Sequence, residues 1–461
     1  MSNLLLQFAV LNVLSVIPHY KERLVQAASS IRPVEYVNKE KDFYMFPDIN
    51  PNYCIVYSPL RGIAFRVAHE ARPHIIAYIE EVDTSSLDES KKLKKNTDDL
   101  LRMDFSTPSC APRRWNSVVF IPTQKCNLGC SYCYAHTAHA AEDISFESIK
   151  SCIDYLFSDG KNEGKSVSFI GGGEPILKWN LIKKTVEYIA LIKKDTSVQI
   201  SIATNGTLLT SDMVEFIKEN HIKISVSFDI LPSIQDAQRP YADKSGTFHS
   251  VDKNLRLLLH EGIVPNIRAT ITQASCEKMT EMTEFVHKHY PQIRQIHLEH
   301  VSDASMDTTV LEEYYRTFCK EFWKARLLGK QYGINVKNSL VTALQHLRYT
   351  FCGGELCITP KGHIVSCHRI SSKRDTYFDN VCYGKAQENT VHFNKDLDLL
   401  RRGIPGLDGK CESCFARWHC AGGCPYNRLT LDSRQFDLLC SFTKSMIAHG
   451  LSNAIPSKLQ K

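Results

Sequence analysis

"CNLGCSYC", residues 126–133, sets Cys126, Cys130 and Cys133 apart by three and then two residues, and Tyr134 follows directly. Three thiols are too few for a closed tetrahedral metal site and an awkward number for disulfides. They suit a partner that needs one position left open. A four-iron cluster on three thiolates has that property, because one iron stays free for a ligand that is not protein. The preceding "VVFIP", residues 118–122, reads as a buried strand, so the cysteines ride on the loop leaving a strand's carboxyl end.

Outward from this loop the chain alternates short apolar runs with amphipathic stretches. Strands are expected at 118–121, 167–170, 198–203, 222–228, 264–271 and 293–298. Helical spacings lie between them, as in Ile149, Ile153 and Leu156 or Ile182, Val186 and Ile189. Six strand–helix units predict an α/β fold, a parallel sheet closed or partly closed as a (β/α)6 barrel, with ligands at the strands' carboxyl ends. A last amphipathic helix is expected at 311–328, after which residues 352–440 turn cysteine-rich, so that part of the core there is inorganic. Ahead of the barrel, residues 1–112 form an α+β region: "YCIVYSP" and "GIAFRVA" alternate around 58–62 as a hairpin, and a helix follows near 69–81. The charged, Ser-rich stretch 83–99 reads as an exposed linker.

Composition narrows the function classes. A net charge of +6 over 461 residues is small, and the densest basic run, Lys91 to Lys95, is flanked by acids, so it reads as a solvated loop and no nucleic-acid partner is expected. The apolar stretch 4–17, broken by Gln7 and Asn12, lacks a basic flank and is too short to span a bilayer. It reads as a buried element, and a cytoplasmic protein without membrane contact is expected. Seventeen cysteines in such a chain point to metal or redox chemistry.

The cysteine loop, with aromatic Tyr132 before its last cysteine, resembles that of the radical S-adenosylmethionine (SAM) enzymes. The resemblance implies a TIM-like partial barrel, a [4Fe-4S] cluster on Cys126, Cys130 and Cys133, and SAM on the open iron. Reductive cleavage of SAM then yields a 5′-deoxyadenosyl radical that takes hydrogen from the substrate. Further positions match the family. "FIGGGEP", 169–175, resembles the motif that holds the methionine amino group, implicating Gly172, Gly173 and Glu174. "ATNG", 203–206, supplies Asn205 after the third strand, and "SVSFD", 225–229, places Ser227 where the family has a ribose-binding serine. Relatives have glycine after Asp229, whereas this chain has Ile230. Arg239 and Arg268 are either carboxylate partners of the cofactor or ordinary ion pairs.

Cys352-x9-Gly362-x4-Cys367, then Cys411-x2-Cys414-x5-Cys420-x3-Cys424, then Cys440 resemble the signature of the SPASM extension, expected over 341–446 with the barrel at 113–340 and a tail at 447–461. The family pattern implies two auxiliary [4Fe-4S] clusters. One is closed by Cys411, Cys414, Cys420 and Cys440. The other is held by Cys352, Cys367 and Cys424, with Cys357, Cys382 or an open position as its fourth site. Members with this extension mostly modify peptide or protein side chains and draw electrons from a flavodoxin- or ferredoxin-type reductant. The region before the barrel looks similar to winged-helix modules that hold a leader peptide, which favours maturation of a ribosomally made peptide. An anaerobic sulfatase-maturating enzyme and a non-catalytic electron carrier are the rival readings; a carrier has no use for the Gly172-Gly173-Glu174 motif.

Overall fold

The structure, a computed structural model, describes residues 36–81, 91–108, 115–135, 142–160, 162–352, 354–394 and 409–455. The apolar stretch 4–17 lies outside them. From Tyr36 the chain runs as an antiparallel meander of four strands, β1 (Tyr36–Asn38), β2 (Phe43–Pro47), β3 (Tyr53–Ser58) and β4 (Ile63–Ala68), paired in sequence order. The expected hairpin is β3–β4, the inner and outer strands of this sheet and not a two-stranded wing. Alternate side chains point to opposite faces of a strand, and here both faces are apolar. Phe43, Met45, Cys54, Val56, Phe65 and Val67 pack under the helices Arg72–Ile79 and Lys91–Arg102. Tyr44, Phe46, Ile55, Tyr57 and Ala64 pack against Phe415, Ile447, Leu451 and Ile455 near the other end of the chain.

Two expectations change here. The stretch read as an exposed linker becomes, from Lys91, a helix that buries Thr97 and Leu100; its lysines hid one sheet-facing stripe. The expected tail from residue 447 continues, as far as Ala454, the helix Ser433–Ala454, with Ile447 and Leu451 buried. Arg66 on β4 clasps that helix end: it pairs with Asp48 and donates to the carbonyls of Ser452, at 2.6 Å, and Ile455, at 3.1 Å.

The barrel strands are β5 (Ser117–Phe120), β6 (Lys165–Phe169), β7 (Val198–Thr204), β8 (Lys223–Ser227), β9 (Asn266–Ile271) and β10 (Gln295–His300), close to the expected positions and parallel in sequence order. Their outward residues, such as Val167, Ile202, Ile224, Ile267 and Ile296, are buried with the helices in one large core. The alternate residues, Ser168, Ser201, Ser225, Ser227, Arg268, Thr270, His297 and Glu299, are only partly buried or exposed. The lumen is therefore lined by small or polar groups. It is a chamber and not the packed interior of a closed barrel.

The ladder does not stop at β5 and β10. After the long helix Thr308–Gln331, β11 (Asn335–Lys337) adds parallel to β10. At the other side β12 (Cys357–Ile358) pairs parallel with β5, and β13 (His363–Val365), β14 (Cys382–Gln387) and β15 (Thr390–Phe393) extend it antiparallel into one eleven-stranded sheet. The C-terminal cysteine region is thus hydrogen-bonded to the first barrel strand. The expected boundary at 340/341 falls inside the helix Ser339–Ala343. Among the described residues no helix is long and apolar enough to cross a membrane.

Arg66 and Asp48 have side chains only 12% and 0% exposed. Removing one partner of a buried pair strands the other charge, typically at about 3–5 kcal/mol. Arg66→Ala should therefore loosen the N-terminal sheet from the helix Ser433–Ala454, read as earlier proteolysis of residues 36–81 and a lower melting temperature. An Arg66→Ala protein as protease-resistant as the parent would show that the clasp contributes little.

Candidate functional site

The cysteine loop leaves β5 and is strapped to the segment after β8. Gly129 N donates to Pro240 O at 2.8 Å, Ser131 N to Gln238 O at 2.9 Å and Ala242 N to Asn127 O at 3.2 Å, with a bridge between Leu128 and Tyr241. This short antiparallel ladder fixes the backbone carrying Cys126, Cys130 and Cys133. Beneath it lies Asp229, fully buried. Its Oδ2 accepts from Tyr132 Oη at 2.6 Å, Gln238 Nε2 at 2.7 Å and Arg239 Nε at 3.1 Å, and its Oδ1 from Thr270 N at 2.9 Å. Burial alone would favour discharge of the Arg239 guanidinium, and the Asp229 carboxylate outweighs it. Of the two arginines left open by sequence, Arg239 is thus an internal ion pair, its guanidinium 5.1 Å from the Tyr132 ring centre. Arg268 reaches into the lumen 3.9 Å from Glu299.

Ile230 follows the hub with φ +70°, although its side chain is fully buried. A β-branched residue in the left-handed region is strained by about 1–2 kcal/mol. The backbone holds the shape that glycine would take freely.

The glycine turn after β6 sits against the cysteine loop. Gly171 and Gly172 have φ of +74° and +69°, and a Cβ on Gly173 would lie 2.0 Å from Lys125 O. No side chain fits between these two backbones. Glu174, 2% exposed, faces inward: Oε1 accepts from Thr204 Oγ1 at 2.7 Å and Ile176 N at 3.0 Å, and Oε2 from Asn205 N at 2.7 Å. Three of roughly four lone-pair sites of the carboxylate are thereby used, so the turn's open backbone carbonyls are the larger share of what remains for an ammonium group. Asn205 Nδ2 donates to Asn127 Oδ1 at 2.9 Å, tying the third strand's end to the cysteine loop. Ser227 ends β8, partly buried on the lumen side.

Burial pushes the Cys126 thiol up to about 11 and raises Cys130 against the opposing charge of Arg239. Desolvated thiols of this kind give up their protons when a cation takes their place. The C-terminal thiols behave alike, with burial raising Cys367 and Cys420 to about 12 and Cys440 to about 11. Cys420 lies within electrostatic reach of Cys414, Cys440 and Cys411, and Cys367 within that of Cys424. Cys352, Cys367 and Cys424 line one cavity of about 330 Å³, and Cys420 and Cys440 line it too. Cys357 is fully buried on β12 in an apolar cluster with Ile121, Val365 and Phe378, with Cys367 within electrostatic reach; Cys382, partly buried, donates to Gly384 O. Among the described residues no three His, Cys, Asp or Glu side chains close on a single metal ion. All-sulfur donor sets at wider spacing fit iron–sulfur clusters, whose ligands stand at separate corners.

Sequence reasoning missed Asn127, Gln238 and Thr270 because polar residues in loops and strands carry no periodic signal. It also missed Arg428, whose Nη2 lies 3.9 Å from Cys411 Sγ, and Arg369.

Residues 120–272 match the Radical SAM superfamily. An uncharacterized protein of Methanocaldococcus jannaschii is 34% identical over 166 residues, 36% of this chain and 56% of that relative, so the chain spans little more than half of it. The cysteine-type anaerobic sulfatase-maturating enzyme of Clostridium novyi is 24% identical over 341 residues, 66% of this chain and 86% of the relative. The solved structure of native anSMEcpe with bound AdoMet is similar with a TM-score of 0.61 at 18% identity, covering 74% of this chain and 100% of that one, a likeness of fold. The cysteine loop and its strap lie within the residues that match this superfamily, and the proteins this chain is similar to include anaerobic sulfatase-maturating enzymes.

Asp229→Asn should leave Arg239 buried without its anion, a loss of about 3–5 kcal/mol. The expected result is a lower melting temperature and a shortfall of iron after anaerobic reconstitution, partly recovered in Asp229→Asn/Arg239→Gln. Normal iron content and an unchanged melting curve in the single variant would remove the hub role.

Proposed function

We propose that this protein is a radical SAM maturase that abstracts hydrogen from a side chain of a ribosomally made peptide and installs a cross-link or other modification. One observation carries the reading: a cavity at the strand ends of the lumen is lined by Arg268, Glu299 and His300 together with Cys352, Cys367, Cys420, Cys424 and Cys440, so a substrate side chain that enters the lumen there stands beside a wall of thiols. With a reduced [4Fe-4S] cluster on Cys126, Cys130 and Cys133, bound SAM supplies a carbon radical for hydrogen abstraction. The chain's own residues bind and orient. The carbonyls of Gly172 and Gly173, with Glu174 behind them, take the methionine amino group; Asn205 steadies the cysteine loop and the Ser227 hydroxyl meets the ribose. Cys411, Cys414, Cys420 and Cys440 hold one auxiliary cluster. Cys352, Cys367 and Cys424 hold the other, with Cys357 as the nearest fourth thiol. A flavodoxin- or ferredoxin-type protein supplies electrons.

The peptide reading draws support from the region before residue 115. That region folds as a sheet of its own, separate from the barrel ladder. Among the described residues β1 and β4 are the edges of its sheet, and an edge strand can pair with an extended peptide. The neighbour has also been solved with AdoMet and Kp18Cys peptide. A second reading, sulfatase maturation, is favoured by the Clostridium novyi relative, which matches over two thirds of this chain.

Anaerobically reconstituted protein should convert SAM to 5′-deoxyadenosine and methionine, and Cys126→Ala/Cys130→Ala/Cys133→Ala should abolish this while lowering iron by one cluster, about four of the roughly twelve irons expected for three clusters. Cleavage at the parent rate by the triple variant would discard the reading. A neighbouring gene's short peptide losing two hydrogens by mass indicates the peptide maturase. A sulfatase-derived peptide gaining a hydrazine-reactive aldehyde indicates the alternative.

A further inference from the structure

The cavity between lumen and C-terminal cysteines holds charged groups that pair off, with one exception. Arg268 stands 3.9 Å from Glu299, and His368 Nδ1 lies 2.9 Å from Glu355. Arg369, half-buried on the same wall, has no carboxylate partner among the described residues. Its one hydrogen bond is long, from Nη1 to Asn427 Oδ1 at 3.5 Å. Two rings hold it in place: the guanidinium carbon lies 5.8 Å from the centre of Tyr134 and 5.1 Å from that of Tyr426. Tyr134 follows Cys133, and Tyr426 comes two residues after Cys424, so the arginine lies between the two thiol sets.

Contact with aromatic faces fixes a guanidinium while leaving its N–H groups available. The natural complement of a planar fork of donors is a carboxylate, which it binds through two parallel hydrogen bonds. A second polar group beside it is also unsatisfied. His300 ends β10 on the same cavity, and its Nδ1 is buried with no hydrogen-bond partner among the described residues. A half-buried cation without a carboxylate and a buried imidazole nitrogen without a partner, in one cavity, suit an incoming anion that the guanidinium pairs with and a protonated His300 Nδ1 donates to.

We propose that Arg369, with His300 beside it, receives a carboxylate of the substrate next to the residue being modified, either an acidic side chain or the chain's terminal carboxylate. This rests on the reading of the cavity as the place of a peptide or protein substrate. It makes Arg369 a specificity residue, positioned by Tyr134 and Tyr426.

The test uses the reconstituted full-length holoenzyme with SAM, held anaerobically, and two pools of short synthetic peptides. One pool is amidated at the C-terminus and contains Asp and Glu; the other has free C-termini and no acidic side chains. Bound peptides are identified by mass spectrometry against matched pools with no carboxylate. The parent should enrich one carboxylate pool about tenfold or more, which names the source. Arg369→Gln should lose the enrichment, and Arg369→Glu should turn the preference toward Lys- and Arg-containing peptides, a gain that a misfolded protein cannot show. Iron content and SAM affinity of both variants should equal the parent's. The proposal is overturned if the parent prefers no carboxylate, or if Arg369→Gln keeps the preference. It is overturned too if the preference survives while SAM affinity falls or an auxiliary cluster's potential shifts, since the arginine would then serve the cofactor or the cluster. A parent that cleaves SAM yet shows no carboxylate preference disproves only this inference, whereas failure to cleave SAM disproves the functional reading beneath it.

Discussion

A single carboxylate that water does not reach organises the mouth of the barrel. Asp229 accepts four hydrogen bonds from three places in the chain: the cysteine loop through Tyr132, the strap through Gln238 and Arg239, and β9 through Thr270. A buried anion persists only where donors surround it, and this requirement works in both directions. The donors hold the charge, and the charge holds three loops that would otherwise move independently. The strain at Ile230 belongs to the same arrangement, because the residue after the hub must turn in a direction its side chain disfavours, and its full burial offsets that cost.

The barrel gains its cohesion from outside its wall. Valines and isoleucines pack between sheet and helices, while serines, Thr270 and the Glu299 group face inward. A closed barrel would fill that space with branched side chains; this one leaves it to ligands. Extending the sheet through β12 rather than closing it on β10 keeps the chamber open on one side. The C-terminal cysteines lie on that opening.

Much of this was legible in the sequence because it is periodic or because thiols are chemically unambiguous. Six strands lie within a few residues of their apolar runs. What escaped has physical reasons. The helix from Lys91 looked like a charge run because one buried stripe, ending at Leu100, stabilises it. Glu174 could be placed beside the glycine turn but not oriented, since its three donors come from two segments. Asp229 itself looked doubtful next to Ile230, because no local pattern announces a partner supplied by Tyr132 nearly a hundred residues earlier. The apolar faces of β2 and β3 gave no hint that their cover comes from the other end of the chain.

That last arrangement bears on how the molecule is made. The strands β2 to β4 leave the ribosome long before the helix that covers one of their faces, Ser433–Ala454. β5 likewise waits for β12, which lies far down the chain, to complete its outer ladder. Until those two segments are made, an apolar sheet face and an unpaired parallel edge are both exposed, the two features that most invite association between nascent chains. Pairing over such sequence distance is also slow. A ribosome that stalls before residue 433 would therefore release a barrel with its strands formed and two adhesive surfaces uncovered, and such a product would depend on chaperones or be degraded.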